Sequence, residues 1–185
     1  IEKDGIGGET YACVRMLSSE GSHPCDALLR PLHAHVERAG MKPYQVAEHL
    51  NKHPEDLSRY LKDIVTKGLD TDGLVVFLDQ MEELFAVRDQ TQATAFLSAL
   101  YQAAQDGSMY VLVTIRSDFL QYCHEHPDLL KVLNGRGYYA LAPPDGRSIH
   151  DMIAKPARCA GLKIPDRLVR RLVDEVGQER GSFPL

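Results

Sequence analysis

No stretch of this chain approaches the ~20 consecutive apolar residues that a membrane span needs, and no leader of signal-peptide pattern opens it. There is no excess of basic charge either. Lys and Arg number 21 against 26 Asp and Glu, a formal net charge of −5, so the chain carries no electrostatic footprint for nonspecific binding to nucleic acid or to an anionic membrane. Cys13, Cys25, Cys123 and Cys159 are scattered, without a CxxC pair or the density of a secreted disulfide scaffold, so reduced thiols in a cytoplasm are the simpler expectation. No internal repeat or low-complexity tract is visible. What remains is globular: 185 residues, 44% of them hydrophobic, enough to bury the core of one domain with the start of a second.

The most informative segment is Leu74-Val75-Val76-Phe77-Leu78-Asp79-Gln80-Met81-Glu82-Glu83, in which an apolar run meets three carboxylates. A continuous apolar run suits a parallel strand covered on both faces, and in open α/β sheets ligands collect beyond the carboxyl ends of the strands. In a nucleotide-hydrolysing enzyme an aspartate at that position holds Mg²⁺ through water, and a carboxylate one turn further on orients the attacking water. Read alone, the segment equally suits a buried strand running into an acidic helix N-terminus.

A second β-branched run, Tyr110 to Arg116, ends in a polar pair ahead of Ser117-Asp118, a helix start. Between the runs, Ala95, Phe96, Ala99, Leu100 and Ala103 fall at helical spacing within Thr91 to Gln105. Strand, helix, strand is a βαβ unit, whose right-handed crossover makes the strands parallel and opens Asp79 and Arg116 onto one edge of the sheet. Taken singly, an arginine ending a strand is more often a solvated cap.

The pattern LVVFLDQMEELF, then VLVTIRSDF, then the terminal GSFPL resembles the STAND class of P-loop NTPases, and within it the bacterial novel STAND subgroup. The resemblance spans about Tyr11 to Leu185. It implies a P-loop NTPase-type α/β sheet flanked by helices over 1–144, with the start of a helical lid over 145–185. It also implies that Leu74 to Asp79 is the Walker B strand and Tyr110 to Arg116 the sensor 1 strand. Asp79 would then be the Mg²⁺ carboxylate, Glu82 and Glu83 the acidic pair at the attacking water, Arg116 the γ-phosphate sensor and Pro184 the adenine-side proline. ATP and Mg²⁺ are the implied cofactors, and an ATP-driven signalling switch inside a larger regulator, able to form homo-oligomers on activation, is the implied function. A AAA-type remodelling ATPase is the rival enzyme, but its glutamate commonly follows the aspartate directly, where this chain has Gln80. A degenerate NTPase-fold scaffold for protein binding is the rival of another class.

One departure is large. Such ATPases cradle phosphates in a glycine-rich loop with a Lys-Ser/Thr pair, and this chain has none. Gly5-Ile6-Gly7-Gly8-Glu9-Thr10 puts Glu9 where the lysine belongs, so it is expected to be a solvent loop. The resemblance places the first strand and phosphate loop upstream, with Ile1 to Lys3 as the tail of the loop helix. Without that segment the chain is expected to fold poorly and to bind ATP weakly at most.

Elsewhere the spacing predicts a strand over Tyr11 to Met16, a helix over Cys25 to Arg38, two short helices between Lys42 and Lys67, and a last strand over Gly137 to Ala142. Pro143-Pro144-Asp145-Gly146 breaks the chain, and Ser148 to Ala160 and Asp166 to Val176 read as helices. His33-x-His35 and His124-x-His126 have the wrong helical spacing for metal pairs, which need i and i+3 or i+4. Cys123 reads as a buried thiol. Lys163, Arg167, Arg170 and Arg171 read as a solvated face.

Overall fold

The computed structural model describes residues 2–6, 9–86, 89–107 and 109–178. By contacts the chain divides into two compact units, Ile1–Tyr138 and Tyr139–Leu185.

The first unit is built on a sheet of order β1-β2-β3-β4: β1 Glu2–Ile6, β2 Glu9–Leu17, β3 Gly73–Asp79 and β4 Tyr110–Val113. β2, β3 and β4 are parallel, and β1 runs antiparallel to β2. Between β2 and β3 lie α1 Pro24–Leu29, α2 His33–Arg38, α3 Pro43–Lys52 and α4 Leu57–Asp63. After β3 come α5 Glu83–Ala86 and α6 Gln90–Gln105, and β4 leads to α7 Leu120–Glu125 and α8 Pro127–Asn134. The βαβ unit expected from Leu74 to Arg116 is therefore present. Asp89 starts α6 by accepting from the Thr91 and Gln92 amides at 3.1 and 3.2 Å, the usual role of an N-cap aspartate.

The core lies against one face of the sheet. Ala12, Val14 and Met16 of β2 and Leu74, Val76 and Leu78 of β3 are buried together with Leu28, Leu32, Leu50, Leu61, Phe96 and Leu100 from the helices. The opposite face is open. Cys13, Val75 and Phe77 are only half-buried there, and Tyr110 and Leu112 are 64% and 61% exposed. β3 thus alternates instead of being covered on both faces, a correction to the reading of its unbroken apolar run. Val75 and Phe77 are apolar although the described residues leave their side only partly covered.

Four further expectations are corrected. Glu2–Ile6 is a strand, not a helix tail, and Gly5 and Ile6 pair with Thr10 and Glu9 as a hairpin instead of lying in a solvent loop. A Gly-Gly pair between two short runs is a hairpin signal. The helix expected over Cys25 to Arg38 is broken by a 3₁₀ turn, Arg30–Leu32, at Pro31, which lacks the amide a continuous helix would use. Gly137 to Ala142 is irregular and pairs with no strand among the described residues, so the expected last strand is absent there.

After α4 the chain makes a π-helical turn, Ile64–Gly68, whose last carbonyl accepts from His35 Nδ1 at 3.0 Å. A Cβ on Gly68 would stand 2.1 Å from the His35 carbonyl oxygen, a backbone atom with no room to yield. Gly68→Ala is accordingly expected to destabilise the unit by about 1–3 kcal/mol, the cost of overpacking, read as a lower urea midpoint.

The second unit holds α9 Gly146–Cys159 and α10 Asp166–Gln178. Asp145 caps α9 through the Ser148 amide at 2.7 Å, and that bond holds its carboxyl below the ordinary range. Among the described residues of this unit Ile149 and Val169 are buried, while Lys163, Arg167, Arg170 and Arg171 are exposed. No described helix is long and apolar enough to cross a membrane.

Candidate functional site

Parallel pairing aligns Leu78 with Val113 and Leu17 with Asp79, so the strand ends that carry the chemistry lie along one edge of the sheet. Thr114, just past β4, ties them together. Its amide donates to the Leu78 carbonyl at 3.1 Å, and its own carbonyl accepts from the Met81 amide at 2.9 Å. Its hydroxyl accepts from the Gln80 amide at 2.9 Å and donates to Asp79 Oδ1 at 2.7 Å. Gln80 stands at φ 55°, the left-handed region that non-glycine residues seldom occupy. These bonds hold the turn that swings the chain from β3 into α5.

The second oxygen of Asp79, Oδ2, accepts from Arg15 Nη2 at 2.6 Å. Arg15 reaches it because β2 pairs Arg15 with Phe77, two residues before Asp79 on the same open face. The Thr114 hydroxyl first, and Arg15 second, hold the Asp79 carboxyl below the usual carboxylate range. A group with a lowered folded value stabilises the fold above its unfolded value, about 3.9, and the contribution is lost as pH falls through the lowered value. Thr114→Val removes the larger cause and leaves the Gln80 amide without its acceptor. It is expected to raise the Asp79 titration in carboxyl ¹³C NMR, to move the acid unfolding transition to higher pH, and to cost about 1–3 kcal/mol at neutral pH.

Glu82 Oε2 accepts from the Arg116 amide at 3.4 Å, a long bond that brings the first distal acid to the sensor-side strand end. Glu83 begins α5, and its Oε2 is buried without a hydrogen-bond partner. The Arg116 guanidinium turns to its own neighbour: Nε and Nη2 donate to the two oxygens of Asp118 at 3.2 and 2.8 Å. It also lies 5.7 Å from the Phe119 ring centroid, beside a stack in which Tyr122 meets both Phe119 and Phe85. Asp79, Glu82 and Arg116 therefore share one end of the sheet, with Arg116 engaged by Asp118. Pro184 lies outside the described residues.

Sequence reasoning missed Arg15, Thr114 and Asp118. Signals existed for two of them. Arg15 is the one charged residue in the run Tyr11 to Leu17, and Thr114 is the one hydroxyl between Val111 and Arg116.

Among the described residues no three His, Cys, Asp or Glu side chains converge as a metal-binding group. One fixed carboxylate still suits Mg²⁺, which keeps several waters and is usually bound by one or two carboxylates together with substrate phosphates. The donor set at Asp79 fits magnesium delivered with a nucleotide and not a stand-alone metal site. His35 and His126 are occupied with the Gly68 and Thr94 carbonyls, and Cys25 and Cys123 are buried thiols pushed up to about 12 and about 11 by burial.

A parallel three-stranded sheet flanked by helices, with an aspartate at the end of its middle strand, is an α/β domain consistent with the P-loop NTPase class. The chain belongs to the novel STAND NTPase 1 family, whose family model matches residues 4–185. Membership implies nucleotide binding. Comparison with curated proteins returned no match.

Proposed function

We propose that the chain is the ATP-binding and ATP-hydrolysing part of a signalling switch within a longer, cytoplasmic regulator. The observation that carries the reading is the fixing of Asp79 at the end of β3, level with Thr114 and beside the strand end that bears Arg116. Family membership supports it independently.

In this reading Asp79 holds Mg²⁺ together with the phosphates, and the metal supplies charge neutralisation at the β- and γ-phosphates. Glu82 or Glu83 orients the attacking water. Arg116 leaves Asp118 to bind the γ-phosphate, an exchange of one bidentate oxyanion for another. Pro184 would lie beside the adenine, and residues 145–185 would begin a helical lid. Such sites work by positioning and charge stabilisation, and lid motion or homo-oligomerisation would be the output.

In this reading the phosphate cradle would be supplied by another part of the polypeptide. Among the described residues the outer edge of β4 is unpaired, and Tyr110 and Leu112 stand exposed, so a further strand at that edge and a helix over that face would complete the sheet. A AAA-type remodelling enzyme is less favoured, since Gln80 and not a glutamate follows Asp79. A non-hydrolysing scaffold remains the rival that experiment must exclude. Paired ATP and ADP titrations of Arg116→Ala in the full-length polypeptide test the switch. The preference for ATP is expected to fall by about tenfold or more, the worth of a hydrogen bond to a charged group. An intact preference would remove Arg116 as the sensor.

A further inference from the structure

We propose that Arg15 is the resting cation of Asp79, displaced when magnesium arrives with nucleotide, and that it thereby sets how readily the site takes the metal. The inference rests on the reading of Asp79 as the metal carboxylate and adds a residue that this reading does not contain.

The two oxygens of Asp79 are held in different ways. Oδ1 is fixed by Thr114, which is itself locked by backbone bonds on both sides, to Leu78 and Met81. Oδ2 accepts from Arg15, on a strand 64 residues away in sequence, through a side chain that is 58% exposed. Removing Arg15 therefore leaves the carboxylate oriented. An exposed pair of this kind contributes little to stability, because water competes for both partners and the long side chain loses freedom in forming it. Its effect on a second cation is larger. A guanidinium on Oδ2 occupies the outward lone pairs that a metal or its water would use, and its charge repels a dication a few ångströms away.

The arrangement also fits what magnesium and arginine each prefer. Mg²⁺ dehydrates reluctantly and gains from phosphate oxygens, so a metal without nucleotide competes poorly with Arg15, whereas one carried by phosphates competes well. The released guanidinium is at the same edge of the sheet and is a good bidentate partner for a phosphate oxygen pair. Arg15 would thus act through Asp79 as a positioning residue that keeps the carboxylate paired in the empty site.

The sign of one measurement separates this role from a structural one. Mn²⁺ alone is titrated into the full-length polypeptide, and paramagnetic broadening of the Gln80 and Thr114 amide signals is followed in the wild type, Arg15→Met, Arg15→Lys and Asp79→Asn. Arg15→Met is expected to reach half-broadening at roughly tenfold lower Mn²⁺, the scale of removing one charge about 5 Å from a dication in a solvated site. Arg15→Lys, which keeps the charge, is expected to stay near the wild type. Equal or weaker broadening in Arg15→Met would overturn the proposal and leave Arg15 as a strut. If Asp79→Asn broadens like the wild type, the metal reading of Asp79 fails as well. If only Asp79→Asn abolishes broadening while Arg15→Met is unchanged, that reading stands and the proposal for Arg15 alone falls. Amide spectra of each variant verify the fold beforehand, and Arg15→Gln replaces Arg15→Met should the latter not fold.

Discussion

Glu82→Gln in the full-length polypeptide is expected to bind ATP as the wild type does and to hydrolyse it at least ~10²-fold more slowly, the scale of general acid–base assistance. Glutamine keeps the size and the hydrogen-bonding shape of the side chain, so the Arg116 amide retains an acceptor and the turn after β3 is preserved. What is lost is the negative charge that polarises water. Glu83→Gln is the comparison, because one of the two should dominate. Glu82 is favoured, since it lies nearer the end of β3 and reaches the sensor side, whereas one oxygen of Glu83 is buried without a partner at the start of α5. Single-turnover hydrolysis on the two variants decides it. Unchanged turnover in both would leave a binding scaffold in place of an ATPase.

Asp79→Ala is expected to abolish the dependence of ATP affinity on magnesium. Altering a residue that only orients a metal ligand typically costs 10–100-fold in metal affinity, so removing the ligand itself should cost at least about tenfold. The fold is expected to survive. The lost bonds are those to Thr114 and Arg15, and the first frees a hydroxyl that keeps its bond from the Gln80 amide. Affinity for ATP measured in EDTA should be nearly the same in the variant and the wild type, which separates loss of the metal from loss of the pocket.

The parts of this fold that were legible in the sequence are those that periodicity controls. The apolar run into Asp79, the helix with Phe96 and Leu100 on its inner side and the β-branched run after Tyr110 stand as a βαβ unit, but β4 ends at Val113, three residues short of the expected end at Arg116. Coverage of the second sheet face was not legible, because Val75 and Phe77 are apolar whether or not anything covers them. The hairpin of β1 and β2 was hidden by reading Gly5 to Thr10 only against a phosphate loop. The break at Pro31 followed from a local rule that the helical spacing of its neighbours outweighed.

At the site, Asp79, Glu82 and Arg116 could be placed because each sits at or just beyond a strand end. Arg15 could not, since its partner depends on which strand lies beside β2 and in what register. Thr114 needed the same knowledge, as its hydroxyl serves a residue 35 positions earlier. Asp118 is close in sequence to Arg116, but that its two oxygens would take the Nε and Nη2 donors depends on the 3₁₀ turn Ser117–Phe119 bringing it back.

The central claim is that Asp79 anchors a magnesium-dependent nucleotide site. Calorimetric titration of ATP with Mg²⁺ into the full-length polypeptide and its Asp79→Ala variant tests it most directly. The account predicts binding by the wild type that weakens when EDTA removes the metal, and binding by the variant that is weaker and indifferent to EDTA. Equal, magnesium-dependent affinity in both proteins would contradict it, as would a full-length polypeptide that binds no nucleotide.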